Sequence, residues 1–279
     1  RGLVGSEMCI RDRVSEGIVL AADSMATIEG EIVGADGNVQ RGVLKTFEHA
    51  KKVSHLANYP IGTLTWGLSQ IGARTIESLI KEFETLPESK VEDYKVKDLA
   101  DKLCDFIKKR YDAVFGNLQE AEKRPGLGLI VAGFSKEEYF SEKYRMILPV
   151  ETQPVRLRPD LSDGAPNFGA NWYGLTDPIV RFYLGYDLRL PQIMKDLGIE
   201  DKKIWGITKG FEYQVIFPGM PLQDAIDFAS FLIELCIWRN RFVVGAPRVG
   251  GNVDVAVITH DKFEWVSRKE WKPIKRERG

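Results

Sequence analysis

The hydrophobic pattern of this chain switches period along its length, and each switch marks an element. "GIVLAAD" (Gly17 to Asp23) is apolar at consecutive positions, as a strand covered on both faces requires, yet it ends on a carboxylate followed by Ser24. The Gly-rich "EGEIVGADGNVQRG" beyond it reads as a hairpin or long loop. "KKVSHL" and "IGTLTWG" read as two short strands around the turn "ANYP". The period then becomes helical. Ile76, Leu79, Ile80 and Phe83 predict an amphipathic helix over "GARTIESLIKEFETL", and Leu99, Leu103, Phe106, Ile107 and Val114 predict a second over "VKDLADKLCDFIKKRYDAVF". Strands return with "LGLIVAGFS", a central one, and "YRMILPVE", its partner. "DPIVRFYLGYD" reads as helix, whereas "WGITKGFEYQVIFPGMP" carries too much Gly and Pro for any one period. Ala225, Phe228, Ala229, Leu232 and Cys236 form the stripe of a last helix. In "NVDVAVIT", Val253, Val255 and Val257 alternate, and "FEWVS" is able to pair with that strand.

The order strands, two helices, strands, helices, strands predicts an α+β fold, a four-layer α/β/β/α sandwich with two sheets inside. At 279 residues and 44% hydrophobic, without an internal repeat or linker, the chain is expected to form one domain. Its formal charge of −1 provides no bulk attraction to nucleic acid or anionic membrane, and no apolar run is long enough to span a bilayer. Neither nucleic-acid nor membrane partners are expected. Three scattered cysteines form no disulfide framework, and three histidines form no metal-ligand spacing; the expectation is a cytoplasmic protein without metal or organic cofactor.

"GIVLAADSMAT", "KKVSHL", "IGTLTWGLSQIGARTIESL", "GLIVAGF" and "GGNVDVAVIT" resemble, in that order, the segments of proteasome-type β-subunits, members of the N-terminal nucleophile (Ntn) hydrolase superfamily. The resemblance runs from about Val14 to Ser267 and is to a divergent prokaryotic branch. It implies a peptidase whose first mature residue, usually threonine, attacks with its side chain while its own α-amine takes the proton. A hydroxyl is a poor nucleophile at neutral pH, and an amine titrating near pH 8 serves as base when a cation depresses its pKa. By that resemblance Asp23 anchors a lysine, Lys52 or alternatively Lys51, and Gly67, in the turn after "IGTLTWG", offers its N–H to the oxyanion. Peptide or unfolded-protein substrates and a homo-oligomer are implied too. The outer helices "IESLIKEF" and "CDFIKKRY" are candidate packing faces for assembly and equally good core stripes.

The chain departs from the pattern where the nucleophile belongs. That position, roughly sixteen residues before Asp23, falls on Glu7, and no threonine precedes Asp23. "RGLVGSEMCIRDR" neither alternates nor runs apolar as the strand partner of "GIVLAAD" should. Residues 1–13 are therefore expected to be foreign, standing in place of a start that carried the nucleophile, with 14–279 the domain proper. Cys9 offers a second chemistry, since cleavage after Met8 exposes an N-terminal cysteine. Near the other end, "GAPRVGG" puts Val249 where active β-subunits carry a serine and lacks their aspartate, and "NFGANWYGLTDP" has Trp172 and Tyr173 where another serine is expected. Three functions follow: a threonine-type peptidase lacking its nucleophile here, an inactive structural subunit of the same fold, and an Ntn amidase using Cys9.

Overall fold

A computed structural model describes residues 2–5, 8–33, 38–56, 59–118, 124–158, 161, 167–213, 216–217 and 219–270, with side chains from Val14 onward and not at 32–33 or 40–41. The chain opens with β1 (Gly2–Gly5), β2 (Met8–Val14) and β3 (Gly17–Ala22), then the hairpin β4 (Ala26–Val33) and β5 (Val39–Phe47). β6 (Val53–His55), β7 (Ile61–Leu68) and a minor hairpin of β8 (Gln70–Ile71) and β9 (Arg74–Thr75) lead into α1 (Ile76–Thr85) and α2 (Val96–Phe115). Next come β10 (Leu127–Gly133), β11 (Glu142–Leu148), β12 (Glu151–Arg156), β13 (Gly169–Gly174), α3 (Asp177–Leu184), α4 (Leu190–Asp196) and α5 (Asp201–Lys209). The long α6 (Leu222–Arg241) precedes the closing hairpin of β14 (Asp254–Ile258) and β15 (Phe263–Ser267).

Two large sheets result. One runs β12-β11-β10-β7-β1-β4-β5 with β6 branching from β7, and the other runs β13-β2-β3-β14-β15. Their alternating side chains sort into three apolar layers. On β3, Val19 and Ala21 join Val255 and Val257 of β14 against α6, while Ile18, Leu20 and Ala22 face the other way. There they meet Ala256 and Ile258 of β14 and Ile130 and Ala132 of β10, across the space between the sheets. The other face of β10, with Leu127, Leu129 and Val131, packs on α1 and α2. Strands apolar on both faces are thus those with a sheet on one side and a helix on the other. Each fully buried Leu or Ile contributes about 1.5–3 kcal/mol. The expected four-layer α/β/β/α sandwich is the observed architecture.

Several elements differ in detail. The first helix starts at Ile76, not Gly72, because residues 72–73 turn the β8–β9 hairpin; Thr75 then caps it, its Oγ1 accepting from Ser78 N at 3.2 Å. The α2 stripe passes through buried Tyr111 rather than Val114, which is 46% exposed. The apolar stripes of α1 and α2 cover a sheet and are core rather than assembly faces. Part of the stretch left unassigned forms α5, whose Ile204 and Thr208 are buried. Met8–Val14 pairs with β3 from Cys9↔Ala22 to Val14↔Gly17, contrary to the expectation from its pattern. The two-residue turn at Ser15 and Glu16 fixes that pairing through backbone hydrogen bonds, which do not depend on side-chain alternation.

Candidate functional site

β3 lies between β2 and β14, so the residue that follows it is delivered into the interior instead of to solvent. Asp23 is 1% exposed. Its Oδ1 accepts from Lys52 Nζ at 2.6 Å, and its Oδ2 accepts from the backbone N–H groups of Met25 at 3.1 Å and Gly250 at 3.0 Å. Three donors, one of them cationic, satisfy the hydrogen-bonding needs of the buried carboxylate. Lys52 sits just ahead of β6, and its carbonyl accepts from Thr65 N of β7 at 2.9 Å. Its backbone therefore belongs to one sheet while its ammonium crosses to the other. The sequence left Lys51 and Lys52 open; the geometry separates them. Lys51 points away, pairing with Glu77 of α1 at 2.7 Å, half-exposed.

Three loops distant in sequence converge here. Ser24 N donates to Gly250 O at 3.1 Å, Ala50 N donates to Ser24 O at 2.9 Å, and Ser24 Oγ donates to Glu48 O at 2.6 Å. The glycine pair before β14 makes the junction possible. Gly251 has φ of 75°, and a Cβ there would lie 2.5 Å from Ser24 Oγ and 2.8 Å from Glu48 O. The pair brings the Gly250 N–H onto Asp23.

Gly67 is not in a turn but is the penultimate residue of β7, with φ of 83°. A Cβ would meet Gly126 O at 2.4 Å. On the other side Gly67 pairs with Gly5 of β1. β1 fills a space one strand wide, antiparallel to β7 through Val4↔Leu68 and Gly5↔Gly67 and to β4 through Gly2↔Glu29 to Val4↔Thr27. An extended segment is thus held by backbone pairing on both sides, its pairing with β4 beginning at Thr27. Beside Lys52 opens a cavity of about 410 Å³. Ala26, Phe47, Ala50, Thr65 and Ile76 contribute to its wall, with Lys52 at one side and the Lys51–Glu77 pair at another.

The positions of the remaining expectations are plain. Glu7 lies outside the described residues; Cys9 is paired with Ala22 in the backbone, and its side chain is outside them. Val249 is 2% exposed in the core under α6, so a hydrophobic contact occupies the place of a serine. Tyr173 stacks on Trp66 at 4.2 Å, which likewise replaces a hydroxyl position with packing. A pair that sequence reading missed adjoins the centre: Lys269 Nζ and Asp254 Oδ2 meet at 2.6 Å, with both side chains at most 3% exposed. The signal was available, since Asp254 falls in register with Ala256 and Ile258 on the inter-sheet face of β14.

No protein-family model and no curated protein sequence matches the chain. Among solved structures, the Anbu (Gly-1) mutant from Hyphomicrobium sp. strain MC1 aligns with a TM-score of 0.51 at 13% identity, over 94% of this chain and 86% of that one. The two share a proteasome-like four-layer fold. A likeness at that identity carries the fold and leaves the chemistry to the residues described above. Among the described residues no helix is long and apolar enough to cross a membrane.

Proposed function

We propose that this chain is built as a threonine-type Ntn peptidase of the proteasome-like class, with residues 1–13 standing in place of the start that carries the nucleophile. The observation that supports this best is the placing of the buried Asp23–Lys52 pair beside a strand-wide space that takes an extended backbone. A peptide substrate pairs in such a space whatever its sequence, and the adjoining cavity receives one side chain. In the reaction, the threonine hydroxyl adds to the scissile carbonyl and its proton passes to the α-amine. Lys52, held cationic by Asp23, lowers the proton affinity of that amine and stabilises the alkoxide. Gly67 N–H receives the oxyanion, collapse expels the amine product with the transferred proton, and water hydrolyses the acyl ester. The chain acts on peptides or unfolded protein, needs no metal or cofactor, and resides in the cytoplasm. Assembly into a homo-oligomer is supported by exposed Phe231 and Trp238 on α6 and Phe242 just after it.

The test is a chain beginning with threonine at position 7 and otherwise unchanged. It should be labelled at that residue by a threonine-directed covalent inhibitor and cleave fluorogenic peptides, and Lys52→Ala should abolish both. An inactive structural subunit is the second reading, favoured by Val249 buried where a hydroxyl would support the nucleophile. That reading holds if the threonine chain folds, exposes its amine and remains unlabelled.

A further inference from the structure

The second buried ion pair reaches the loop that carries Lys52 through one residue, Ala50. Asp254 opens β14 opposite Ala22, the residue before Asp23. Lys269, returning after β15, donates to it twice, from its backbone N at 3.0 Å and from Nζ at 2.6 Å. The same Nζ donates to the carbonyl of Ala50 at 2.5 Å. Ala50 N in turn donates to Ser24 O, beside Asp23. The residue two positions before Lys52 is therefore gripped on both its polar groups, from the Asp23 side and from Lys269.

The charged groups facing Lys269 are Asp254, Lys52 and Asp23. Burial above all lowers the pKa of Lys269; Asp254 opposes this, the cation of Lys52 adds to it, and Asp23 opposes it. The four charges alternate and sum to zero, a balance that a buried cluster needs.

We propose that Lys269 and Asp254 are positioning residues of the candidate centre: Lys269 fixes the loop bearing Lys52 through the Ala50 carbonyl, and Asp254 holds Lys269 in place. The role rests on the reading of Lys52 as the centre's cation, but its test needs no activity. The full chain is labelled with ¹³Cε-lysine, and the Lys52 signal is assigned with Lys52→Arg and titrated. In Lys269→Met the Lys52 signal should shift, and its midpoint should rise as a neighbouring cation is lost. Lys269→Arg should restore both. Because Lys269→Met strands a buried carboxylate, Lys269→Met with Asp254→Asn is measured alongside. It removes both charges, still deprives Ala50 of its donor, and should still displace the Lys52 signal. A Lys52 signal like that of the unaltered chain in either folded variant overturns the proposal, and so does unfolding of the double variant, which would make the pair a matter of global stability. Failure of the peptidase reading looks different: a threonine-bearing chain inert to inhibitor while the Lys52 signal still responds to Lys269.

Discussion

Replacing Asp23 with asparagine tests the buried pair most directly. The side chains of Lys52 and Asp23 are 2% and 0% exposed, so the substitution leaves an ammonium inside the protein facing an amide. Breaking a buried pair from one side costs about 3–5 kcal/mol. Lys52→Met should cost less, about 1–3 kcal/mol, because Asp23 keeps the N–H groups of Met25 and Gly250. The double variant strands no charge and should lie well above the sum of the two, a coupling of about 3 kcal/mol. Urea unfolding followed by tryptophan fluorescence measures each term. With a slope of about 3 kcal/mol per molar, Asp23→Asn moves the midpoint down by about 1–2 M. Lys51→Met is the control, since its partly exposed pair with Glu77 is worth about 0–1 kcal/mol. Single and double costs that add within about 0.5 kcal/mol would refute the reasoning, because solvated charges do not couple that way.

Three further outcomes are expected. Gly67→Ala should lower stability by about 2–4 kcal/mol in thermal unfolding, because a positive φ and a carbonyl 2.4 Å from the new Cβ leave it no relaxed position. His55 has its pKa lowered from 6.5, chiefly by burial. Its neutral form therefore favours the fold: that stability is complete above 6.5, declines as pH falls below it, and is lost through the lower folded value. Urea midpoints measured from pH 7.5 to 5 should fall less in His55→Phe than in the unaltered chain. Finally, burial pushes the thiols of Cys104 and Cys236 up to about 12, so neither should be alkylated at pH 8 until denaturant is added, as peptide mapping by mass spectrometry would show.

Much of this architecture was legible because it repeats along the chain. The alternation of Val255 and Val257, the stripe of α2 and the unbroken apolar run of β3 each report on many contacts at once. Asp23 stood out as a charge closing such a run. What escaped were features decided by a single tertiary contact. Neighbours in an extended segment point opposite ways, so nothing local tells Lys51 from Lys52; the choice is made by Asp23 from another sheet. Lys269 reads as one more cation in a basic stretch until Asp254 and the Ala50 carbonyl are placed against it. α5 was obscured by its glycine and by the Pro-rich stretch beyond it, where helical propensity is weak. The pairing of β2 escaped because a tight turn outweighed an unfavourable pattern.

The hydrogen bond from Gly250 to Asp23 spans 227 residues of sequence. A ribosome making this chain emits Asp23 and Lys52 long before the segment that seats them. Until β14 arrives, β3 has an open edge and its terminal carboxylate lacks one of its donors. A nascent or prematurely terminated chain thus carries both an unseated ion pair and an adhesive edge.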